Sequence, residues 1–225
     1  MNGIRERVEA IERRIVAACE RSGRPSQEVA LVAVSKTFGP EAIEAAIAAG
    51  IRDVGENRIQ EAREKIPNVK GAVRWHMIGH LQSNKAKDAV GLFDVIQTID
   101  SASLADRIAR FAGEASKRID VLLQVNVGGE SQKSGVEPAD LPALAEHVSH
   151  LPELRAVGLM TIPPLVSEDE VRPLFARLRS LRDQLRERHE DCRELSMGMS
   201  ADFEAAIEEG ATIVRIGRAI FGGRG

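Results

Sequence analysis

Lys36 ends an apolar run, Val29-Ala30-Leu31-Val32-Ala33-Val34-Ser35, that contains no charge. An amine in that place is either a strand-end cation reaching into solvent or a nucleophile for a carbonyl carbon. Arg215 lies between Val214 and Ile216 in another apolar run. A guanidinium stays charged at any working pH and is costly to bury unpaired. Its two readings are a structural salt bridge, with Glu56 as candidate partner, and a donor aimed at a ligand acceptor. Ser200 and Gly217 follow the last two apolar segments. A hydroxyl and an unhindered backbone are what hold a phosphate, although Ser200 alone reads as a helix N-cap and Gly217 alone as a loop residue. His76 and His80 are four apart, but a zinc pair at that spacing needs a helix and a glutamate base. Here the segment reads as a strand and Met77 follows the first histidine. Neither G-x-S-x-G nor G-x-x-x-x-G-K-[ST] occurs, so a serine hydrolase and a P-loop are unsupported.

Whether these residues meet depends on the elements that carry them. The run ending at Lys36 lacks alternation, which marks a strand buried on both faces, as in a parallel sheet under helices. On a two-residue period Lys36 shares a face with Ala30, Val32 and Val34. Ile4, Val8, Ile11 and Ile15 recur at helical steps, so residues 2–22 form a helix that precedes the first strand. From residue 29 the chain alternates. Strands are expected over 29–35, 52–56, 74–79, 93–98, 119–126, 155–161, 194–199 and 212–216, each followed by a helical segment. Asp100-Ser101 is a capping signal, and the helix after the seventh strand is expected over 201–209. Ala45-Ala46-Ile47-x-x-Gly50 and Ala205-Ala206-Ile207-x-x-Gly210 echo one another, each glycine ending a helix before a strand. Eight such units in about 200 residues are the count for a (β/α)8 barrel. The expectation is an α/β fold: one TIM-type barrel, a single domain over residues 1–225, with an extra N-terminal helix. Its chemistry then belongs at the C-terminal strand ends, where Lys36, Glu56-Asn57, Gly79-His80, Asp100, Asn126, Thr161, Met199-Ser200 and Arg215-Ile216-Gly217 stand. Phosphate sites in such barrels follow strands seven and eight, the places of Ser200 and Gly217.

Composition narrows the classes. Net charge is −3 with 31 basic and 34 acidic residues interleaved, which is no nucleic-acid footprint. No apolar run approaches a membrane span, and the first residues read as an amphipathic helix rather than a signal peptide. Cys19 and Cys192 lack metal-ligand spacing and read as free thiols of a cytoplasmic protein. A strand-one lysine with a phosphate cradle opposite points to a Schiff base with a phosphorylated aldehyde. Pyridoxal 5'-phosphate fits that description, and so does a sugar phosphate in a lysine-dependent aldolase.

Five segments carry a resemblance: Val32-Ala33-Val34-Ser35-Lys36-Thr37, Gly55-Glu56-Asn57-Arg58, Trp75-His76-Met77-Ile78-Gly79-His80-Leu81-Gln82-Ser83-Asn84-Lys85, Ser196-Met197-Gly198-Met199-Ser200-Ala201-Asp202-Phe203 and Val214-Arg215-Ile216-Gly217-Arg218-Ala219-Ile220-Phe221-Gly222. With these the whole chain resembles the pyridoxal phosphate homeostasis protein family, whose fold is similar to the N-terminal barrel of alanine racemase (fold type III). The resemblance implies that Lys36 holds the cofactor as an internal aldimine and that Arg215 faces the pyridine nitrogen. It implies a phosphate site at Ser200 and the backbone of Gly217 and Arg218, with Asn57, His80 and Met199 lining the pocket. Ser131-Gln132-Lys133-Ser134-Gly135 also resembles a family segment, which makes Lys133 a candidate second contact for the aldehyde.

Arginine has donors and no acceptor, so at the pyridine nitrogen it favours the unprotonated ring and weakens it as an electron sink. In the racemase family the second base is a tyrosine from a C-terminal domain or partner chain, and this sequence has no tyrosine. The expected function is therefore a non-catalytic pyridoxal phosphate carrier or buffer in vitamin B6 homeostasis, a monomer, with cofactor-requiring apo-enzymes as partners. An amino-acid racemase or lyase on the same site is the alternative, and a Schiff-base aldolase the third.

Overall fold

A computed structural model describes residues 2–130, 134–164 and 166–222. Eight parallel strands pair in sequence order and close into a barrel: β1 (Ala30–Val34), β2 (Asp53–Glu56), β3 (Arg74–Met77), β4 (Val95–Ile99), β5 (Ile119–Gln124), β6 (Leu154–Met160), β7 (Glu194–Ser196) and β8 (Ile213–Ile216). Most strands are one to three residues shorter than the apolar runs predict, because the runs continue into the loops, while β6 keeps its predicted length shifted by one residue. Helices α1 (Asn2–Arg21), α2 (Pro40–Ala48), α3 (Ile59–Lys65), α4 (Ala86–Leu92), α5 (Ala102–Glu114), α6 (Leu141–Ser149), α7 (Glu168–Arg186), α8 (Phe203–Glu208) and α9 (Arg218–Phe221) complete the chain.

Two apolar clusters divide the core. Val32, Val95, Leu122, Met160 and Ile213 fill the barrel interior, with Ala30 against them. The larger cluster lies between the outer strand faces and the helices. This is why the strands read as unbroken apolar runs: both faces leave water. Gly50 and Gly210 end their helices at φ of 112° and 98°, a region open to glycine.

The added helix α1 closes the seam where β1 meets β8. It packs on α2, α8 and α9, burying Val8, Ile11, Ile15 and Ala18. Arg14 pairs with Glu204 at 2.8 Å and its guanidinium lies 4.5 Å from the Phe203 ring centre. Arg24 donates to the carbonyls of Ile207 and Ala211, tying the turn after α1 to α8 and to the loop that leads into β8.

Ser101 holds the N-cap position of α5, but its side chain makes no capping hydrogen bond there. The helix after β7 starts at Phe203, not at 201, because residues 200–202 form a turn in which Asp202 accepts from the Met199 N–H at 2.6 Å.

Both cysteines are free and buried. Burial raises both thiol pKa values, that of Cys192 to about 11 against the opposing charges of Arg182 and Arg186. Since the thiolate is the reactive species, neither should react quickly with a disulfide reagent in the native protein at pH 7.5. Both should react once guanidinium unfolds the chain. Fast titration of either thiol in the native state would contradict this burial.

Candidate functional site

The C-terminal strand ends form one mouth, and a cavity of about 580 Å³ lies there over the β1–β8 seam. Val34, Lys36, Thr37, Phe38, Gly217, Arg218 and Gly222 line it. The register explains the meeting. Val32 pairs with Arg215 and Ala33 with Ile216, so Val34 and Gly217 come opposite one another. A Cβ on Gly217 would lie 3.2 Å from the Val34 carbonyl oxygen, so glycine lets the two backbones approach. Phe38 and Phe221 stack at 5.0 Å between ring centres, fixing α9 beside the Lys36 turn.

Lys36 itself is exposed, two residues past β1. Its backbone is held from behind. Thr37 adopts φ of +68°, an uncommon conformation for a β-branched residue. Its N–H donates to Glu61 Oε2 at 3.0 Å, while Lys65 Nζ donates to the Ser35 carbonyl at 2.9 Å. Lys65 also pairs with Glu56 at 2.8 Å, and Ser35 Oγ donates to the same Glu56 oxygen at 2.7 Å. Glu56 is fully buried, and burial raises its pKa against the opposing pull of Lys65 and Ser35. The Thr37 N–H, with Lys65, lowers that of Glu61.

Glu56 is therefore the partner of Lys65, and of the two readings of Arg215 the salt bridge to Glu56 is not formed. The two residues face opposite sides of the sheet: Glu56 points to the helices and Arg215 into the barrel. Arg215 donates to Ser196 Oγ at 2.6 Å and to the Thr161 carbonyl at 2.7 Å. It is 4% exposed and forms no ion pair among the described residues. Burial lowers its pKa to about 10, with the Asp202 charge opposing, so it stays cationic at neutral pH. A guanidinium has five N–H donors, of which these contacts use two.

The other predicted residues lie around the same mouth. Gly198 has φ of +91° and its carbonyl accepts the Arg215 N–H at 3.0 Å, which ties the turn carrying Met199 and Ser200 to β8. Asn57 and His80 line a neighbouring cavity of about 500 Å³ with Arg58, Glu61, Met77 and Lys85. Neither of them lines the Lys36 cavity, and neither cavity is lined by Met199, Ser200 or Arg215. The Asn57 Oδ1 atom is buried without a hydrogen-bond partner, an acceptor whose satisfaction requires a donor from elsewhere. His80 is exposed and Ser134 Oγ lies 3.1 Å from its Nδ1. Lys133 lies outside the described residues. His76 is buried with its ring nitrogens against Asp53 and Gln97, and no group of three or more His, Cys, Asp or Glu residues suited to a metal occurs among the described residues.

Two groups escape sequence reading: the Glu56–Lys65–Glu61 buckle behind Lys36, and the polar interior formed by His76, Gln97 and Ser196. The available signal was a long polar side chain inside a buried strand, as at Gln97 in Val95–Ile99.

Fold and mouth together define a lysine-bearing (β/α)8 barrel of the alanine racemase N-terminal type. The family model described as alanine racemase, N-terminal domain, matches residues 7–225. A pyridoxal phosphate homeostasis protein of Aquifex aeolicus is 48% identical over 222 residues, 97% of each chain. PipY of Synechococcus elongatus PCC7942, solved with PLP bound, superposes with a TM-score of 0.85 at 39% identity, covering 97% of this chain and 100% of that one. Alanine racemase of Clostridium difficile shares the fold at 14% identity with a TM-score of 0.78, covering all of this chain and 56% of that one. This chain belongs to the pyridoxal phosphate homeostasis protein family.

Proposed function

We propose that this protein binds pyridoxal 5'-phosphate covalently at Lys36 and serves vitamin B6 homeostasis by holding and releasing the cofactor without turning over amino acids. The observation that carries the reading is the convergence of Lys36, Gly217 and Arg218 on one cavity of a size that suits a small cofactor. The names of its relatives and the PLP-bound relative support it.

The residues present fit such a ligand. Pyridoxal phosphate supplies an aldehyde that condenses reversibly with an amine, and a phosphate. Lys36 offers the amine, on a turn held by Glu61 and Lys65. Ser200, with the backbone of Gly217 and Arg218, offers donors to the phosphate. Arg215 offers uncommitted N–H groups to the ring nitrogen. Met199 and His80 stand at the same mouth, outside the lining of the Lys36 cavity.

The non-catalytic part rests on two features. Arg215 donates and cannot protonate the ring, which leaves a carbanion poorly stabilised. The sequence has no tyrosine to act as the second base of a racemase. We further propose one functional domain over residues 1–225, acting as a cytoplasmic monomer that passes cofactor to apo-enzymes. In support, the barrel closes within this chain, both thiols are free, and no described helix is long and apolar enough to cross a membrane.

The test is borohydride reduction of protein incubated with pyridoxal phosphate, followed by peptide mass spectrometry. One phosphopyridoxyl label on Lys36, lost in Lys36→Ala, is expected. A label elsewhere, persisting in that variant, sinks the assignment. Rapid α-proton exchange of free amino acids in deuterated water would overturn the carrier reading in favour of an enzyme.

A further inference from the structure

A line of buried polar side chains crosses the barrel interior. Arg215 on β8 donates to Ser196 Oγ on β7 at 2.6 Å. Ser196 donates to Gln97 Oε1 on β4 at 2.6 Å, although β4 and β7 are not neighbours. The Gln97 amide nitrogen lies 2.9 Å from His76 Nδ1 on β3, and His76 Nε2 lies 2.8 Å from Asp53 Oδ1 on β2. Ser196 and Gln97 are fully buried and His76 nearly so. Asp53, the first residue of β2, stands at the end of the barrel opposite the mouth.

We infer that Ser196, Gln97, His76 and Asp53 form a one-directional hydrogen-bond relay that positions the Arg215 guanidinium for a ligand of the Lys36 site. The inference rests on the cofactor reading above for the identity of that ligand.

The direction follows from the donor inventory alone. A guanidinium only donates, so Ser196 Oγ accepts and its own proton points onward. The Gln97 oxygen takes that proton, which turns its NH2 towards His76. An amide nitrogen only donates, so His76 Nδ1 must be bare. The imidazole proton then sits on Nε2 and is given to the Asp53 carboxylate. Turning the Gln97 amide over breaks the series: the Ser196 proton loses its acceptor, and His76 must carry a proton on Nδ1. Each group thus has one orientation, and bonds in such a chain reinforce one another.

Packing alone does not call for this line. Val32, Val95, Leu122, Met160 and Ile213 form an apolar cluster in the same interior, and buried polar groups bring a desolvation cost. What the line adds is a fixed plane for Arg215, whose two committed contacts are the relay serine and the Thr161 carbonyl. Asp53, His76, Gln97 and Ser196 are positioning residues and touch no ligand.

The relay is tested at His76, first in the cofactor-free protein. Two-bond nitrogen–proton correlation NMR is expected to show the neutral Nε2–H tautomer; an Nδ1–H tautomer or an imidazolium at pH 7.5 would overturn the relay. Two variants then separate polarity from packing. His76→Gln presents an oxygen to Gln97 and an NH2 to Asp53, so it preserves the direction, whereas His76→Leu preserves only bulk. The expected result is a dissociation constant for pyridoxal phosphate near wild type in His76→Gln and raised about tenfold in His76→Leu, the effect of mis-setting one hydrogen bond to a charged group. Rotation of the Arg215 guanidinium, read by NMR without cofactor, should be faster in His76→Leu only. Equal affinity and equal rotation in the two variants would overturn the relay. If either variant fails to fold, the wild-type tautomer decides. Failure of the cofactor reading is seen separately, as a wild-type protein that gains no label at Lys36, and the cofactor-free measurements still decide the relay.

Discussion

Replacing Lys65 by methionine is expected to cost about 3–5 kcal/mol of folding stability, because it leaves the buried Glu56 carboxylate without its cation. Lys65 is the one cation paired with Glu56 among the described residues, and the Glu56 side chain has no solvent exposure. The sign of the pH dependence follows from burial. Burial already raises the folded-state pKa of Glu56 above its ordinary value near 4.5, and Lys65 opposes that rise. A carboxylate raised on folding contributes stability that is fully present below the unfolded pKa and is lost as pH rises through the folded one. Without Lys65 the folded pKa rises further, so the deficit of the variant relative to wild type should widen between pH 5 and pH 8. Glu61 works in the other sense, since its pKa is lowered and its contribution is lost as pH falls. Urea unfolding at the two pH values measures the difference. Adding Glu56→Gln should recover much of the loss, because a neutral amide can still accept from Ser35. A double variant no more stable than Lys65→Met alone would contradict the account. Lys65 also holds the Ser35 carbonyl, so the single variant should label more slowly at Lys36.

The second large effect is expected at Gly79. A Cβ there would sit 2.1 Å from the Asn57 carbonyl oxygen and 2.8 Å from its carbonyl carbon. Neither side can yield cheaply. Ile78 N–H donates to the Glu56 carbonyl at 3.0 Å, and Thr98 Oγ1 donates to the Gly79 carbonyl at 2.9 Å. Gly79→Ala must part the ends of β2 and β3, which we expect to cost about 3 kcal/mol or more, the upper end for overpacking. It should also displace Asn57, and with it the buried Oδ1 acceptor. Gly91→Ala is the control. Gly91 lies within α4 with nothing within 4 Å of an added Cβ, so alanine there should stabilise by about 0.5–1 kcal/mol. Thermal or chemical unfolding of the pair checks both. A Gly79→Ala protein as stable as wild type would show that the two loops do not pack as closely as described.

Much of the architecture was legible because its signals are local. A parallel barrel strand is apolar on both faces, so Ala30–Val34 and Ile119–Gln124 announce themselves without knowledge of their neighbours. Helix ends were legible to within two or three residues, and Asp202 shows why not better: its side chain closes a turn that replaces the first turn of α8.

The site divides differently. By itself the sequence determined the barrel, the place of Lys36 at the end of the first strand, and the places of Ser200 and Gly217 after the last two, because strand order in this fold follows chain order. Only the tertiary structure decided partners. Glu56 and Arg215 both looked like charges in need of partners, and a salt bridge between them was one of two readings open to Arg215. The pleat sends one to the helices and the other into the barrel, a matter of which side of a strand faces the axis. Gln97 and Ser196 are 99 positions apart, and His76 lies on yet another strand. No local pattern links three polar residues that meet only when a sheet curls far enough for β4 to face β7.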